Sequence, residues 1–265
     1  MNKIIKKLLY NQSKILTVLI IVILISSISG IDWKSGIIHK GAFDSSIKIL
    51  KAFLRPDISI EIIGVAFSAT IRTLVYAITG MTIGLVLSFF TGIFASGKLQ
   101  KSTLGRKFTK GVWRSILGVV RGIHELVWAW FFVAYIGLTP VAGVLAIGIP
   151  YGAALGRVFA DILNDVPEEP IKSLESSGAN KKQVIIYGYL PYARRDMISY
   201  SLYRLECAIR ASVIMSFIGL GGLGYNIQLA LSDLNYNRAA TFIYFLIILI
   251  TLIDIWSNQI RKDLV

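Results

Sequence analysis

Apolar runs long enough to cross a lipid bilayer recur along almost the whole chain, and this constrains its fold more than any other feature. The hydrocarbon core is about 30 Å thick, so a helix needs about 20 apolar residues to cross it. No water is present there to satisfy a free backbone, so spanning segments must close their hydrogen bonds internally. Runs near residues 14–30, 62–95, 112–137, 141–163, 196–218 and 238–259 predict six transmembrane helices and an all-α, polytopic membrane protein. Composition agrees. The 265 residues are 55% apolar and 16% charged, against about 45–50% and about 25% in an average soluble domain. A net charge of +13 could suit nucleic acid, but the basic residues are spread over the segments between spans rather than gathered on one face. That distribution reads as topology, with membrane lipid and not nucleic acid as the surrounding partner.

With the N-terminus inside, segments 1–14, 97–111, 164–195 and 260–265 hold sixteen Lys and Arg residues, whereas outer segments 31–58 and 218–237 hold five. Cytoplasmic loops carry such an excess, so both termini are expected in the cytoplasm. The first residues imitate a secretory signal, with Lys3, Lys6 and Lys7 before an apolar run and then Ser27 and Ser29. Because hydrophobic spans dominate the rest of the chain, the segment is expected to stay as an uncleaved first helix. Segment 41–58 interleaves Ile47, Leu50 and Leu54 with Lys48, Lys51 and Arg55, the pattern of an interfacial amphipathic helix. The organisation expected is an N-terminal part, 1–58, with one helix and this outer segment, and a transmembrane domain, 59–265, with a long inner loop at 164–195.

Charges inside spans cost about 2.5–3.5 kcal/mol on insertion scales, so each should meet a partner or a watery path. Glu206 and Arg210 are four residues apart, the spacing of an ion pair on one helix face. Arg210 is expected to attract an anion along a translocation path, with Glu206 restraining it, since guanidinium presents a planar fork to oxyanions. Arg72 is the next candidate for that path, against the favoured alternative that it snorkels to the outer interface. Arg121, His124, Glu125, Arg157 and Asp161 are expected to form an intramembrane polar network. Glycines 80, 84 and 92 predict close helix contact. Gly219, Gly221, Gly222 and Gly224 come after an uncharged run that includes Ser212 and cannot sustain a stable helix. Broken backbone at membrane depth suits a turn or a gating element beside a cavity.

The inner loop is polar and ordered in character. Asp165, Glu168 and Glu169 suit a helix N-terminus, and Pro167 and Pro170 mark its approach and start. Gly178 allows a sharp change of direction into a second short helix over residues 181–189. Such an element can pass rigid-body motion from a soluble subunit to the spans. One cysteine, Cys207, excludes an internal disulfide framework and a multi-cysteine metal site, and two histidines, His39 and His124, are too few for a histidine-rich metal or proton-relay site. No phosphate-binding glycine loop, His-Glu-x-x-His or Gly-x-Ser-x-Gly pattern occurs. The chain is therefore read as neither an enzyme nor an ATP binder, with no cofactor of its own.

Four stretches bear a family resemblance. They are residues 121–129 (RGIHELVWA) with 137–146, residues 203–212 (YRLECAIRAS), residues 217–225 (FIGLGGLGY), and the loop 172–191 (KSLESSGANKKQVIIYGYLP). Together they resemble the phosphonate-type permeases of bacterial ATP-binding-cassette importers. In the loop, Lys172, Ser173 and Leu174 stand at the family's Glu-Ala-Ala, Gly178 at its glycine, Gly188 at its isoleucine, and Leu190 and Pro191 at its end. His124 stands where the family usually has proline. The resemblance implies the type I importer permease fold, with a coupling helix between spans 4 and 5. Lys172, Ser173, Leu174, Glu175, Gly178, Ala179, Leu190 and Pro191 would then face the ATPase. It further implies a homodimer in the bacterial inner membrane, a cytoplasmic ATPase subunit that carries ATP and Mg, and a periplasmic or lipid-anchored oxyanion-binding protein. The substrate implied is a phosphonate, phosphite, hypophosphite or phosphate. The alternative is a stand-alone anion channel or ion-coupled carrier, although no inverted internal repeat is evident.

Overall fold

Residues without side chains set the central packing of this chain. In the computed structural model, which describes residues 3–30, 42–100 and 102–264, α3 (Ile60–Ser96) and α6 (Pro140–Asp165) run against each other along most of their lengths. A Cβ at Gly84 would lie 3.1 Å from the Gly148 carbonyl oxygen and 3.2 Å from the Gly152 nitrogen, and one at Gly80 would lie 2.8 Å from Cβ of Ile147. Gly92 meets Phe159 in the same way at 2.8 Å. Apolar lipid gives little drive for helices to associate, so this close backbone approach supplies the dispersion contact that holds them.

The chain divides into two compact units, Met1–Leu50 and Lys51–Val265. In the first, α1 (Lys3–Ser29) carries the apolar stretch Lys14–Ser29. The amphipathic pattern after it forms α2 (Ala42–Leu54), whose last turn belongs to the second unit. Residues 1–2, 31–41, 101 and 265 lie outside the described ones, so Lys34, His39, Lys40 and Lys101 are not placed.

In the second unit, α3, α6 and α11 (Tyr236–Leu264) are each long and apolar enough to cross a membrane. At 37 residues, α3 is about 55 Å long at 1.5 Å per residue. Two bent pairs of helices are each long and apolar enough to cross if the pair is counted as one broken span. The run expected as one helix over 112–137 is instead α4 (Thr103–Gly122) and α5 (Glu125–Ile136), which meet at 84°. Ile123 is extended, and the His124 side chain accepts the Leu126 N–H at 3.2 Å, capping α5. Helix α4 therefore begins inside what reads as an inner loop. Trp113 stacks on Phe94 of α3, and the Arg114 Nε–H donates to the Ala95 carbonyl at 3.3 Å.

The fifth span also begins earlier than its apolar pattern suggests. α8 (Lys181–Gln183) passes through a π-helical stretch (Val184–Tyr189) into α9 (Leu190–Met215). The Leu190 N–H donates to the Ile185 carbonyl, five residues back. This shift of register falls just before Pro191, which has no N–H to give, so the proline is absorbed without ending the helix. A second π-helical stretch (Ser216–Leu220) leads to a break and then α10 (Leu223–Ser232), bent 55° from the preceding helix.

Candidate translocation site and coupling loop

The glycine-rich break is built on α3. Gly219, Gly221 and Gly222 have φ of +98°, +78° and +105°, the region where side chains are strained. Hydroxyl groups hold the segment down. The Tyr76 hydroxyl donates to the Leu220 carbonyl at 2.8 Å, and the Leu223 N–H donates to Thr73 Oγ1 at 3.0 Å. Ser212 is buried at the α3–α9 contact, where its hydroxyl lies 2.7 Å from the Ile209 carbonyl and 3.2 Å from that of Thr73. It is occupied in helix packing. Arg72 lies across Gly221, with Nη1 2.6 Å from where a Cβ would be. It is exposed and lines a cavity of about 600 Å³ with the glycines, Thr139, Tyr225 and Asn226.

Arg210 is engaged differently. Its Nη2 lies 3.3 Å from an Asp254 carboxylate oxygen and 3.8 Å from one of Glu206. Glu206 is buried, and its nearer basic partner is Arg261, whose Nη2 lies 2.8 Å from Oε1, within ion-pair range but off the direction of a hydrogen bond. Two bases and two acids thus tie α9 to α11 in a cluster of no net charge. No local pattern points to Arg261 here, because the pair joins residues 55 positions apart. Arg204 carries no such sign either. It meets the rings of Tyr151 and Tyr200 at 5.9 and 5.6 Å, and its buried Nε has no hydrogen-bond partner.

The network expected of Arg121, His124, Glu125, Arg157 and Asp161 does not form as one. Asp161 pairs with Arg157 at 3.3 Å and also with Arg114 of α4. His124 and Glu125 are a separate pair at 3.8 Å. Arg121 is exposed and makes no ion pair or hydrogen bond among the described residues. The bend after Gly122 is the cause, since it turns α5 away from the line of α4.

At the opposite end of the bundle lies the loop. Helix α7 (Glu168–Ser176) has two acids in its first turn and the Glu168–Lys172 ion pair at 2.9 Å along its surface. That pair holds the Glu168 carboxyl below, and the Lys172 ammonium above, their ordinary values. Gly178, with φ of +83°, turns the chain, and the Gly178 N–H donates to the Glu175 carbonyl at 3.0 Å. Ala179 adds a bond to the Leu174 carbonyl at 3.2 Å, and Lys181 pairs with Glu175 across the elbow. Asn180 and Gln183 then cap α8 reciprocally. Lys172, Ser173 and Glu175 stay exposed, whereas Ile171 and Leu174 pack inward onto Gly188. A Cβ at Gly188 would meet Ile171 Cδ1 at 2.8 Å and Leu174 Cδ1 at 3.0 Å. Glycine at this position lets α7 lie directly on the start of the long helix. Leu190 is half-buried and Pro191 exposed where that helix continues. Lys98, just after α3, sits over the Tyr189 ring at 4.6 Å, so the basic segment after α3 and the loop share one end. Burial lowers the Lys98 pKa, as do Arg106, Lys110 and Lys181 nearby.

Residues 89–264, which include both glycine-rich and loop elements, match the model of the binding-protein-dependent transport system inner membrane component family. The chain belongs to this family. A phosphite transport system permease protein, PtxC of Stutzerimonas stutzeri, is 30% identical over 192 residues, covering 72% of this chain and 68% of that protein. A phosphate-import permease protein, PhnE of Mycolicibacterium smegmatis, is 28% identical over 199 residues, covering 75% of this chain and 37% of that one. Inward-facing structures of the MetNI methionine ABC transporter include a chain with a TM-score of 0.69 at 17% identity, covering 78% of this chain and all of that one. That likeness is one of fold, the type I importer permease fold. As a permease of this family, the chain is an inner-membrane transport component rather than an enzyme, and it works with a separate ATPase and a substrate-binding protein.

Proposed function

We propose that this permease carries phosphite or a closely related phosphorus oxyanion, as one of two identical subunits that form the path. Six crossings, the bent pairs counting once each and α1 supplying the first, put both termini and the elbow at Gly178 in the cytoplasm. The exposed side of α7, with Ile186 and Tyr187 exposed beside it, is the surface for the ATPase. The single observation that carries the reading is the combination of that elbow with 30% identity to a phosphite permease over most of the chain. Each residue of the bent loop would then transmit the ATPase stroke through α9. The charge-neutral cluster around Arg210 fits a brace between α9 and α11 better than a resting place for substrate.

The test is uptake of labelled phosphite, phosphate and methylphosphonate into vesicles that hold this permease, its ATPase and its binding protein. ATP-dependent uptake of at least one is expected. Gly178→Pro, which cannot adopt positive φ, should abolish ATPase stimulation while the complex still assembles. Uptake without any ATPase subunit would favour a stand-alone channel instead.

A further inference from the structure

Resting on the oxyanion reading above, we infer that the Arg72 cavity is a binding station for the phosphorus oxyanion itself, at the end of the bundle opposite the coupling loop. Three observations converge on it. Arg72 lies in the apolar helix α3, yet it has no ion pair or hydrogen bond among the described residues. The other charges that lie in the middle of α6, α9 and α11, namely Arg157, Asp161, Glu206, Arg210 and Asp254, are paired with opposite charge. Arg204 instead rests between two tyrosine rings. Second, no acid among the described residues lines the cavity, and beside Arg72 its polar side chains are hydroxyls and an amide, from Ser68, Tyr76, Thr139, Tyr225 and Asn226. Third, two helix N-termini, those of α6 at Pro140 and α10 at Leu223, border the same space, and each carries partial positive charge.

The glycine break explains how the cation is presented. Both the positive φ of Gly221 and the guanidinium lying against it exclude a side chain there. Thr73, next to Arg72, fixes the break to α3 through the Leu223 N–H. The arginine thus lies against a backbone tied to its own helix, on the wall of a space of about 600 Å³. That space is large for a single small anion, so the ligand would keep part of its water shell and bind weakly, as a transport station requires.

The same chemistry could come from a free anion or from the phosphate of a phospholipid headgroup, and the experiment separates them. The complete transporter, with ATPase and binding protein, is prepared in phospholipid-free detergent and in vesicles. Phenylglyoxal labelling of Arg72 is followed by peptide mass spectrometry, with and without millimolar phosphite, phosphate or methylphosphonate. The transported anion is expected to slow labelling several-fold in detergent. Arg72→Gln is expected to lower uptake at least tenfold, and Arg72→Lys to retain part of it, with normal recovery of the ATPase on purification. Unslowed labelling in the wild-type complex overturns the site, as does wild-type uptake by Arg72→Gln. Protection by phosphatidylglycerol alone also overturns it. Should Arg72→Gln fail to assemble, the labelling of the wild-type complex decides. A wild-type transporter that imports none of the three anions overturns the oxyanion reading, and this site with it, whereas import with unprotected Arg72 removes only the site.

Discussion

Arg261, one turn from the end of the last helix, reaches back to Glu206 in the middle of α9, at 2.8 Å. The carboxylate is buried while the arginine is about a quarter exposed, so the two partners are not equivalent. Removing Arg261 leaves a buried carboxylate with only the more distant Arg210, at 3.8 Å, to offset it; removing the glutamate frees a cation that can turn outward.

Arg261→Gln is therefore expected to destabilise the purified protein by on the order of 3 kcal/mol, the usual cost of a stranded buried charge. Glu206→Gln should cost less, and the double variant should recover most of the loss. Thermal melting in detergent, run as a double-mutant cycle, measures the coupling. Equal costs for both single variants would contradict the asymmetry.

Gly84→Leu is expected to prevent α3 and α6 from packing, giving aggregated protein in size-exclusion chromatography. Its Cβ alone would already lie 3.1 Å from a backbone oxygen of the partner helix. Gly118→Ala is the matched control, since its Cβ meets nothing within 4 Å and it sits inside α4. That variant should be neutral or gain up to about 1 kcal/mol in helix propensity.

Restoring the family's isoleucine at position 188 should harm this particular chain. Gly188→Ile is expected to push α7 away and to cut transport-coupled ATP hydrolysis several-fold, because Ile171 and Leu174 already fill the space. Adding Ile171→Ala to Gly188→Ile should return much of the activity. An isoleucine variant with full coupling would show that α7 does not need its seat.

Lys98 gives a pH signature at alkaline values. Its folded pKa lies below the ordinary 10.5, through burial first and neighbouring cations second. The unfolded chain then binds more proton than the folded one across the window between the lowered value and 10.5. Stability contributed by this site should rise with pH through that window, and the penalty should stand in full below it. Lys98→Met should remove the rise from a melting-temperature profile taken up to pH 10.5.

The long apolar helices were legible because lipid leaves the backbone so few solutions, and the α3 glycines because their spacing has one plain use. The elbow was legible too: Gly178 followed by Asn180 is a turn and a cap written almost side by side. The bend between α4 and α5 was not, since proline is its familiar sign and here His124 caps the new helix by a hydrogen bond that hydropathy does not register. Continuity through Pro191 was hidden for a related reason, as a change of hydrogen-bond register has no composition. The charged residues were found individually, but their partners were not. Asp161 takes Arg114 across 47 positions and Glu206 takes Arg261, choices that only the packing of whole helices makes. Arg72 was visible as a charge in a span, yet its lack of an ion pair among the described residues is a three-dimensional property.

The unbroken course of α9 has a mechanical corollary. From Leu190, just beyond the seat of α7, α9 runs as a single rod of 26 residues, about 39 Å at helical rise, to the π-helical stretch that leads into the glycines beside Arg72. A rod does not let its two ends turn independently. A twist imposed at the Leu190 end is therefore carried to the run of positive-φ glycines, where the helix stops and the chain is tied to α3.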